Sequence, residues 1–367
     1  MSAVPESVAA HGHVETFAWL RVVRDALISR ALDDLEETRL LPARKVLYQF
    51  SARGHEVTQV LLGHELTGER DGVSVYYRSR PLMLALGLTP EQALASTMMR
   101  VGGVSEGRDI GVVFNLPRRT GPSVLPACGG VGAQYTPAVG WAQAIQYRAT
   151  TLRDRRFAGS IAVAHGGDAS TATNGFWAAI NIAATQRLPI LFFIEDNGYG
   201  ISVKSELQTP GGNIARNLSA FRGLKVLEGD GSDPRSAALL IRQAVAGVRA
   251  GEGPALLRLS VPRLSGHSGQ DTQTYKSPEE IAAEQARDPL RKLRELLVPG
   301  TLSEAVWAKL EEEARVEVEQ ALAEVERRPA PDPSQVQRHV FSELRPDGTI
   351  DLQQQGGQLA DGYTPPA

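Results

Sequence analysis

Two small oxygen-bearing side chains stand beside glycine at the two ends of one segment of this 367-residue chain. Asp168 follows Gly166-Gly167, and Asn197 precedes Gly198, 29 positions further along. A helix and a strand fill such a gap in an α/β unit, so both side chains can return to one sheet edge. Their carboxylate and amide oxygens suit Mg²⁺, which also binds phosphate. The spacing therefore favours a cation that holds a diphosphate, although Asp and Asn beside glycine are also common turn residues.

The segments around these side chains predict the elements that position them. Residues 160–164 form a short apolar, β-branched run, which is typical of a buried parallel strand. Asn174 precedes residues 176–184, which are rich in helix formers and predict a helix. Residues 190–194 predict the next buried strand, with Asn197 in the loop at its carboxyl end. Ligands of open α/β sheets bind at that edge.

The rest of the chain continues the α/β pattern and then becomes helical. Residues 16–40 have helical spacing, and helix signals broken by glycine run through 52–100. Residues 102–136 lack periodicity, as in a functional or disordered loop. Further predicted segments are strands at 224–227 and 255–259, a helix around 234–250, and two charged helices within 278–326 separated at Pro299-Gly300.

The segment from Gly167 to Asn197 resembles the thiamine diphosphate motif of the alpha subunits of 2-oxo acid dehydrogenases, which begins Gly-Asp-Gly and ends near Asn-Asn. Other short motifs follow the order of that family: Gly54-His55-Glu56, Tyr76-Tyr77-Arg78, Gly107-Arg108, residues 135–140 and Gly266-His267-Ser268. The similarity covers roughly residues 20–345 and is greatest to bacterial branched-chain alpha subunits.

The resemblance implies the thiamine-diphosphate-binding α/β fold, with a mostly parallel central sheet flanked by helices and a helical C-terminal extension. The expected organisation is a flexible arm at 1–15, the cofactor-binding domain at 16–275, the helical extension at 276–345 and a tail at 346–367.

The same resemblance implies an oxidoreductase of the 3-methyl-2-oxobutanoate (2-oxoisovalerate) dehydrogenase type. Such an enzyme decarboxylates a branched-chain 2-oxo acid on thiamine diphosphate and passes the acyl group to the lipoyl arm of a dihydrolipoyl acyltransferase. A beta subunit would supply the rest of each active site in an α2β2 heterotetramer. The alternatives are a pyruvate or acetoin dehydrogenase alpha subunit, or a non-catalytic paralogue of the fold.

Site residues follow from the family positions. Mg²⁺ is expected to bind the carboxylate of Asp168, the amide oxygen of Asn197 and the main-chain carbonyl of Tyr199. Expected contacts of thiamine diphosphate are Tyr77, Arg78, Val131, Gly167, Asp168, Ala169, Ser170, Asn197 and His267.

Two of these assignments have plain structural alternatives. The guanidinium of Arg78 offers a planar fork for diphosphate oxygens, but it could equally be a surface arginine, and Arg80 is as available. Residues 128–134 are glycine-rich yet lack the third glycine of a dinucleotide loop, so no NAD site is implied. In the family, the side chain at Val131 props the thiamine into its bent conformation; the alternative is a turn before a helix.

His267 is the expected catalytic residue. Of the seven histidines, it alone lies in a Gly-His-Ser-Gly loop, which favours exposure and mobility. Its ordinary pKa near neutrality suits proton transfer or orientation of a 2-oxo acid. In relatives this loop covers the thiazolium ring.

The chain also departs from the family pattern. Ala169 replaces the second glycine of Gly-Asp-Gly, which adds a methyl group where the backbone approaches closely. An acidic residue is missing around Thr173 and Asn174, and no second histidine follows Gly107-Arg108. The acidic run after the His-Ser pair shrinks to Asp271. These changes bear on the substrate more than on cofactor binding.

Composition limits the remaining classes. A net charge of −3 favours neither nucleic acid nor an anionic membrane surface as a partner. Cys128 is the only cysteine, so no intramolecular disulfide forms and a reducing cytoplasm is the expected compartment. No signal-like or membrane-spanning apolar run is present. We therefore expect a cytoplasmic protein.

Overall fold

A computed structural model describes residues 17–111, 113–116, 121–336 and 347. The predicted arm at 1–15 and, apart from residue 347, the predicted tail at 346–367 lie outside the described residues. No helix in the described ranges is long and apolar enough to cross a membrane.

Helices and strands alternate through most of the chain. The helices are α1 (Trp19–Leu35), α2 (Glu56–Glu65), α3 (Arg80–Ala85), α4 (Pro90–Thr97), α5 (Tyr135–Gln146), α6 (Asn174–Gln186), α7 (Ile214–Asn217), α8 (Pro234–Arg249), α9 (Pro278–Gln285), α10 (Pro289–Leu297) and α11 (Glu304–Glu326). The strands are β1 (Gly72–Ser74), β2 (Ser123–Val124), β3 (Ala162–Gly167), β4 (Ile190–Asp196), β5 (Tyr199–Gly200), β6 (Val203–Lys204), β7 (Lys225–Asp230) and β8 (Ala255–Ser260).

The central sheet confirms the predicted fold class. Its six strands have the order β2-β1-β3-β4-β8-β7, and every pairing is parallel. Strands β5 and β6 form a separate antiparallel pair. Because β3 and β4 are neighbours with Gly167 paired to Glu195, the residues that follow both strands meet at one edge.

Side chains of the central strands alternate between two apolar cores. Val163, Leu191 and Leu257 face a core formed with α1, α2, α8 and α11. Ala164 and Phe192 face the opposite core, formed with α5 and α6. Strands buried on both faces read as continuous apolar runs, which is why residues 160–164 and 190–194 predicted strands without alternation.

The bounds of two elements and the number of helices in residues 278–326 differ from the prediction. Gly166-Gly167 continues β3, and the chain turns only at the 3₁₀ segment Asp168–Ala172. Helix α6 is capped by the Thr173 hydroxyl, which accepts from the Phe176 N–H, so Asn174 is its first residue. Residues 278–326 form three helices instead of two, because Asp288 caps a new helix at Leu290 N–H.

Candidate cofactor site

A pocket of about 600 Å³ opens at the carboxyl edge of the sheet. It brings together all ten residues predicted for the site: Tyr77, Arg78, Val131, Gly167, Asp168, Ala169, Ser170, Asn197, Tyr199 and His267. A second depression of about 820 Å³ borders the 265–271 loop and is lined by none of them. The roles of the ten residues remain predictions, but their convergence selects this pocket as the candidate site.

Asp168 lies directly after β3 and is almost fully buried. Its Oδ2 accepts from the Ser205 hydroxyl. Burial, together with the nearby charge of Asp196, raises the pKa of the Asp168 carboxyl to about 6. A carboxylate that is costly to ionise in an empty pocket favours a bound cation, which offsets that cost.

Asn197 and Tyr199 form the turn after β4. The Tyr199 N–H donates to Asn197 Oδ1 at 3.1 Å, and the Tyr199 hydroxyl donates to Glu280 Oε1 at 2.6 Å. The phenol therefore points to α9, and Tyr199 also lines the pocket. The role of its main-chain carbonyl stays a prediction. Asp196, which stands where the family has its first asparagine, pairs instead with Arg258 at 2.7 Å.

Arg78 is a buried cation with no carboxylate partner among the described residues. Its guanidinium donates to the carbonyls of Ser51 and, at 3.1 Å, of His267. Arg80 is different, because it forms buried ion pairs with Asp33 at 2.5 Å and Glu36 at 2.7 Å. Of the two arginines, only Arg78 keeps its charge for an anion in the pocket.

His267 is half-buried between two aromatic rings. Its ring centroid lies 5.3 Å from that of Phe50 and 5.7 Å from that of Tyr77, in edge-to-face arrangements. Its main-chain N–H donates to Asp271 Oδ2 at 2.6 Å. Asp271, which is all that remains of the family's acidic run, therefore anchors the main chain of His267. The prediction of an exposed histidine is therefore corrected to a partly enclosed one, packed by neighbours that local sequence did not reveal.

The imidazole of His267 is neutral in this pocket. Burial and the positive charges of Arg78 and Arg263 together lower its pKa to about 4, against an opposing effect of Asp271. A diphosphate on Arg78 would offset that positive charge and raise the pKa toward its ordinary value.

The glycine-rich segment is both a turn before α5 and a wall of the pocket. Residues 128–132 and Gln134 line the cavity, and the Val131 side chain is 61% exposed. Gly200 and Ala169 also line the pocket, and a Cβ added to Gly200 would lie 2.6 Å from Cβ of Ala169. The extra methyl of Ala169 is thus accommodated by a glycine at position 200.

Sequence reasoning missed a buried cluster behind the pocket. Glu195, at the end of β4, is fully buried and accepts from surrounding side chains, namely His55, Thr58, Gln59 and His165. Burial alone would raise the pKa of the Glu195 carboxyl, but His55 and His165 hold it far below its usual range. A charged residue adjoining the apolar run 190–194 was the available signal, because buried charges need partners.

The donor set fits a diphosphate with a small hard cation. The described part of the chain has no group of three or more His, Cys, Asp or Glu side chains arranged to hold a metal ion. Mg²⁺ does not require one, since it commonly binds one or two carboxylates, waters and phosphate oxygens. Asp168 and Asn197 could supply the protein oxygens, and Arg78 the charge that faces the phosphates.

Comparisons with known proteins identify a family and several relatives of this chain. The family described as "Dehydrogenase E1 component" matches residues 26–334. The pyruvate dehydrogenase E1 component subunit alpha of Zymomonas mobilis is 30% identical over 290 residues, 78% of each chain. The 2-oxoisovalerate dehydrogenase subunit alpha of Bacillus subtilis is 27% identical over 322 residues, which is 87% of this chain and 94% of the relative.

Proposed function

This chain belongs to the dehydrogenase E1 component family, and we propose that it is the alpha subunit of a 2-oxo acid dehydrogenase that uses thiamine diphosphate and Mg²⁺. The observation that carries the proposal is the convergence on one pocket of a buried arginine with no carboxylate partner in the described part of the chain, a buried carboxylate and a half-buried histidine. Residues 16–275 would form the cofactor-binding domain and residues 276–345 its helical extension.

The proposed site residues fall into two groups, those that bind the cofactor and one that transfers a proton. Asp168, Asn197 and the Tyr199 carbonyl would hold Mg²⁺, and Arg78 would bind the diphosphate. When bound, thiamine diphosphate supplies the electron sink that allows a 2-oxo acid to lose carbon dioxide. His267, neutral and facing the same pocket, would accept or donate the proton at the reacting end.

The apolar lining favours a branched-chain 2-oxo acid. Ile110 belongs to the segment after Gly107-Arg108 that lacks the second histidine, and it lines the pocket with Phe50 and Val131. Aliphatic side chains bind in such surroundings through burial of apolar area. A pyruvate substrate is the second candidate, favoured by the names of several relatives, including the one at 30% identity.

A substrate panel tests the proposed function. We expect the complex of this chain with its beta subunit to reduce an artificial electron acceptor with a 2-oxo acid, only when thiamine diphosphate and Mg²⁺ are present. The ratio of kcat/KM for 2-oxoisovalerate and pyruvate distinguishes the two candidates. A complex that is inactive with all 2-oxo acids, although it binds the cofactor, would favour the non-catalytic paralogue.

A second subunit is proposed to complete the site. Three apolar residues that line the pocket are exposed, namely Val131 (61%), Ile201 (61%) and Val203 (44%), as is Leu207 (77%) shortly after them in the chain. Exposed apolar patches of this kind mark interfaces. The beta subunit would cover this mouth in an α2β2 heterotetramer. The lipoyl arm of a dihydrolipoyl acyltransferase would then accept the acyl group.

The isolated chain should therefore bind thiamine diphosphate weakly or not at all. Without its partner, the exposed apolar mouth is expected to cause self-association, because interfaces of the obligate type are apolar. Sedimentation and calorimetry of the chain alone, compared with the co-expressed pair, provide the measurement. A monodisperse chain that binds the cofactor as tightly as the pair does would contradict the proposed division of the site.

Replacing Arg78 by alanine is expected to weaken thiamine diphosphate binding by about 10- to 100-fold, since charge-assisted hydrogen bonds contribute about 1.5–3 kcal/mol. Lysine at this position should recover part of the loss, because it restores the charge but not the fork. Calorimetry on the α/β complex measures the effect. Arg216→Ala, at a strongly exposed arginine, is the control and should leave the affinity unchanged.

A further inference from the structure

The side-chain amide of Asn197 forms a hydrogen bond with the imidazole of His55. His55 Nε2 lies 3.3 Å from Asn197 Nδ2, and His55 Nδ1 lies 2.9 Å from Glu195 Oε2. His55 and Glu195 are both fully buried. One imidazole therefore joins a proposed metal ligand to a carboxylate that is removed from water.

Glu195 determines which nitrogen of His55 carries the proton. An ionised carboxylate only accepts hydrogen bonds, so His55 Nδ1 must donate to it. The neutral ring then has a bare lone pair at Nε2, which accepts from the amide nitrogen of Asn197. If the amide were turned over, its oxygen would face that lone pair with no hydrogen between them.

This arrangement fixes the oxygen of Asn197. With the amide nitrogen directed to His55, Oδ1 lies on the other side of the group and accepts from the Tyr199 N–H at 3.1 Å. An amide oxygen has two lone pairs, so one remains for a cation. We propose that His55, oriented by Glu195, is a positioning residue that presents the Asn197 oxygen to the cation of the pocket. The inference rests on the proposed function, because it concerns the metal of that site.

His165 provides a matched comparison for His55. His165 Nε2 lies 3.0 Å from the same oxygen of Glu195, and His165 is equally buried. Its other ring nitrogen faces the Ser79 hydroxyl at 2.9 Å instead of Asn197. Loss of His165 should therefore disturb Glu195 about as much as loss of His55 does, without releasing the amide.

The test is the affinity for Mn²⁺, a paramagnetic substitute for Mg²⁺, measured by electron paramagnetic resonance on the α/β complex at saturating thiamine diphosphate. We expect His55→Leu to weaken Mn²⁺ binding at least about 10-fold, the usual lower bound for groups that orient metal ligands. His165→Leu should stay within about 3-fold of wild type, well below that effect.

Two conservative variants separate positioning from folding. In His55→Gln, the amide can donate to Glu195 and accept from Asn197, so we expect wild-type Mn²⁺ affinity. His55→Asn keeps the same polar groups but is one methylene too short to reach both partners, so it should lose affinity as His55→Leu does. This pair decides the matter even if the leucine variants fail to fold.

Each result has a distinct meaning. Equal Mn²⁺ affinities of His55→Gln and His55→Asn, or of His55→Leu and His165→Leu, would overturn the positioning role while leaving the proposed function intact. A wild-type complex that binds no Mn²⁺ in the presence of thiamine diphosphate would overturn the proposed function and this inference with it.

Discussion

Replacement of Asp168 by alanine is expected to abolish Mg²⁺-dependent binding of thiamine diphosphate while the fold survives. Asp168 is the only carboxylate among the three proposed ligands, and Mg²⁺ tolerates poor octahedral geometry badly. Groups that merely orient a metal ligand already contribute 10- to 100-fold to affinity, so loss of a direct carboxylate should cost more than about 100-fold. Asn197→Ala removes a neutral oxygen from the same shell and should also abolish binding.

Calorimetry of the α/β complex with thiamine diphosphate, with and without Mg²⁺, provides the measurement. Ser205→Ala is a useful companion, because it removes the hydroxyl that donates to Asp168 but no proposed ligand. It should weaken cofactor binding far less than Asp168→Ala does. Unchanged affinity in both the Asp168 and the Asn197 variants would show that the cation, if any, binds elsewhere.

A substitution of Asp168 that keeps its shape should have the opposite effect on the metal-free protein. Burial of the Asp168 carboxylate costs free energy unless a cation is present, and hydrogen bonds from the Ser205 hydroxyl and from the main chain of Asp168 and Asn197 offset only part of that cost. Asp168→Asn keeps the shape and removes the charge. We therefore expect its melting temperature in chelator to equal or exceed that of wild type. A protein stabilised for structural reasons by Asp168 would instead melt earlier.

The sequence predicted the parts of the site that local pattern controls. Apolar runs at 160–164 and 190–194 indicated strands, and parallel strands place their carboxyl ends together, so Asp168 and Asn197 had to meet. The strand limits were less certain. Glycine is disfavoured in strands, yet Gly166 lies within β3. Glycine is needed at this position because a Cβ atom would lie 2.4 Å from the Tyr135 hydroxyl.

The buried cluster around Glu195 could not be predicted from the sequence, for a different reason. His55 and Glu195 are 140 positions apart, so no local spacing relates them. Each belongs to a motif in which other residues were predicted to act. The packing of Phe50 against His267 likewise joins two residues that are far apart in the sequence. Tertiary contacts of this kind set the electrostatics of the site, which composition and periodicity do not encode.

The electrostatics of His267 give a pH prediction. The pKa of its imidazole is lowered to about 4 by burial and by the charges of Arg78 and Arg263, so the ring is neutral at pH 7. A bound diphosphate offsets Arg78 and moves this pKa upward, into the range that kinetics can follow. If the neutral ring accepts the proton, kcat/KM should fall as the pH drops through the pKa of His267 in the enzyme loaded with cofactor, since protonation removes the acceptor.

His267→Ala is accordingly expected to lower turnover by roughly 10²–10⁴-fold and to remove that decline in acid. Affinity for thiamine diphosphate should change little, because Arg78 bonds to the main-chain carbonyl of residue 267, which alanine retains. With no second histidine in the segment after Gly107-Arg108, His267 would carry more of the proton handling here than in relatives.

A phenylalanine at position 267 separates chemistry from packing. It keeps an aromatic ring against Phe50 and Tyr77, whose centroids lie 5.3 and 5.7 Å from the imidazole, but it has no nitrogen to exchange a proton. Steady-state kinetics of both variants with the best 2-oxo acid should show the same loss of turnover. If His267→Phe instead stays within about threefold of wild type, the ring serves packing and the proton must be handled by another group.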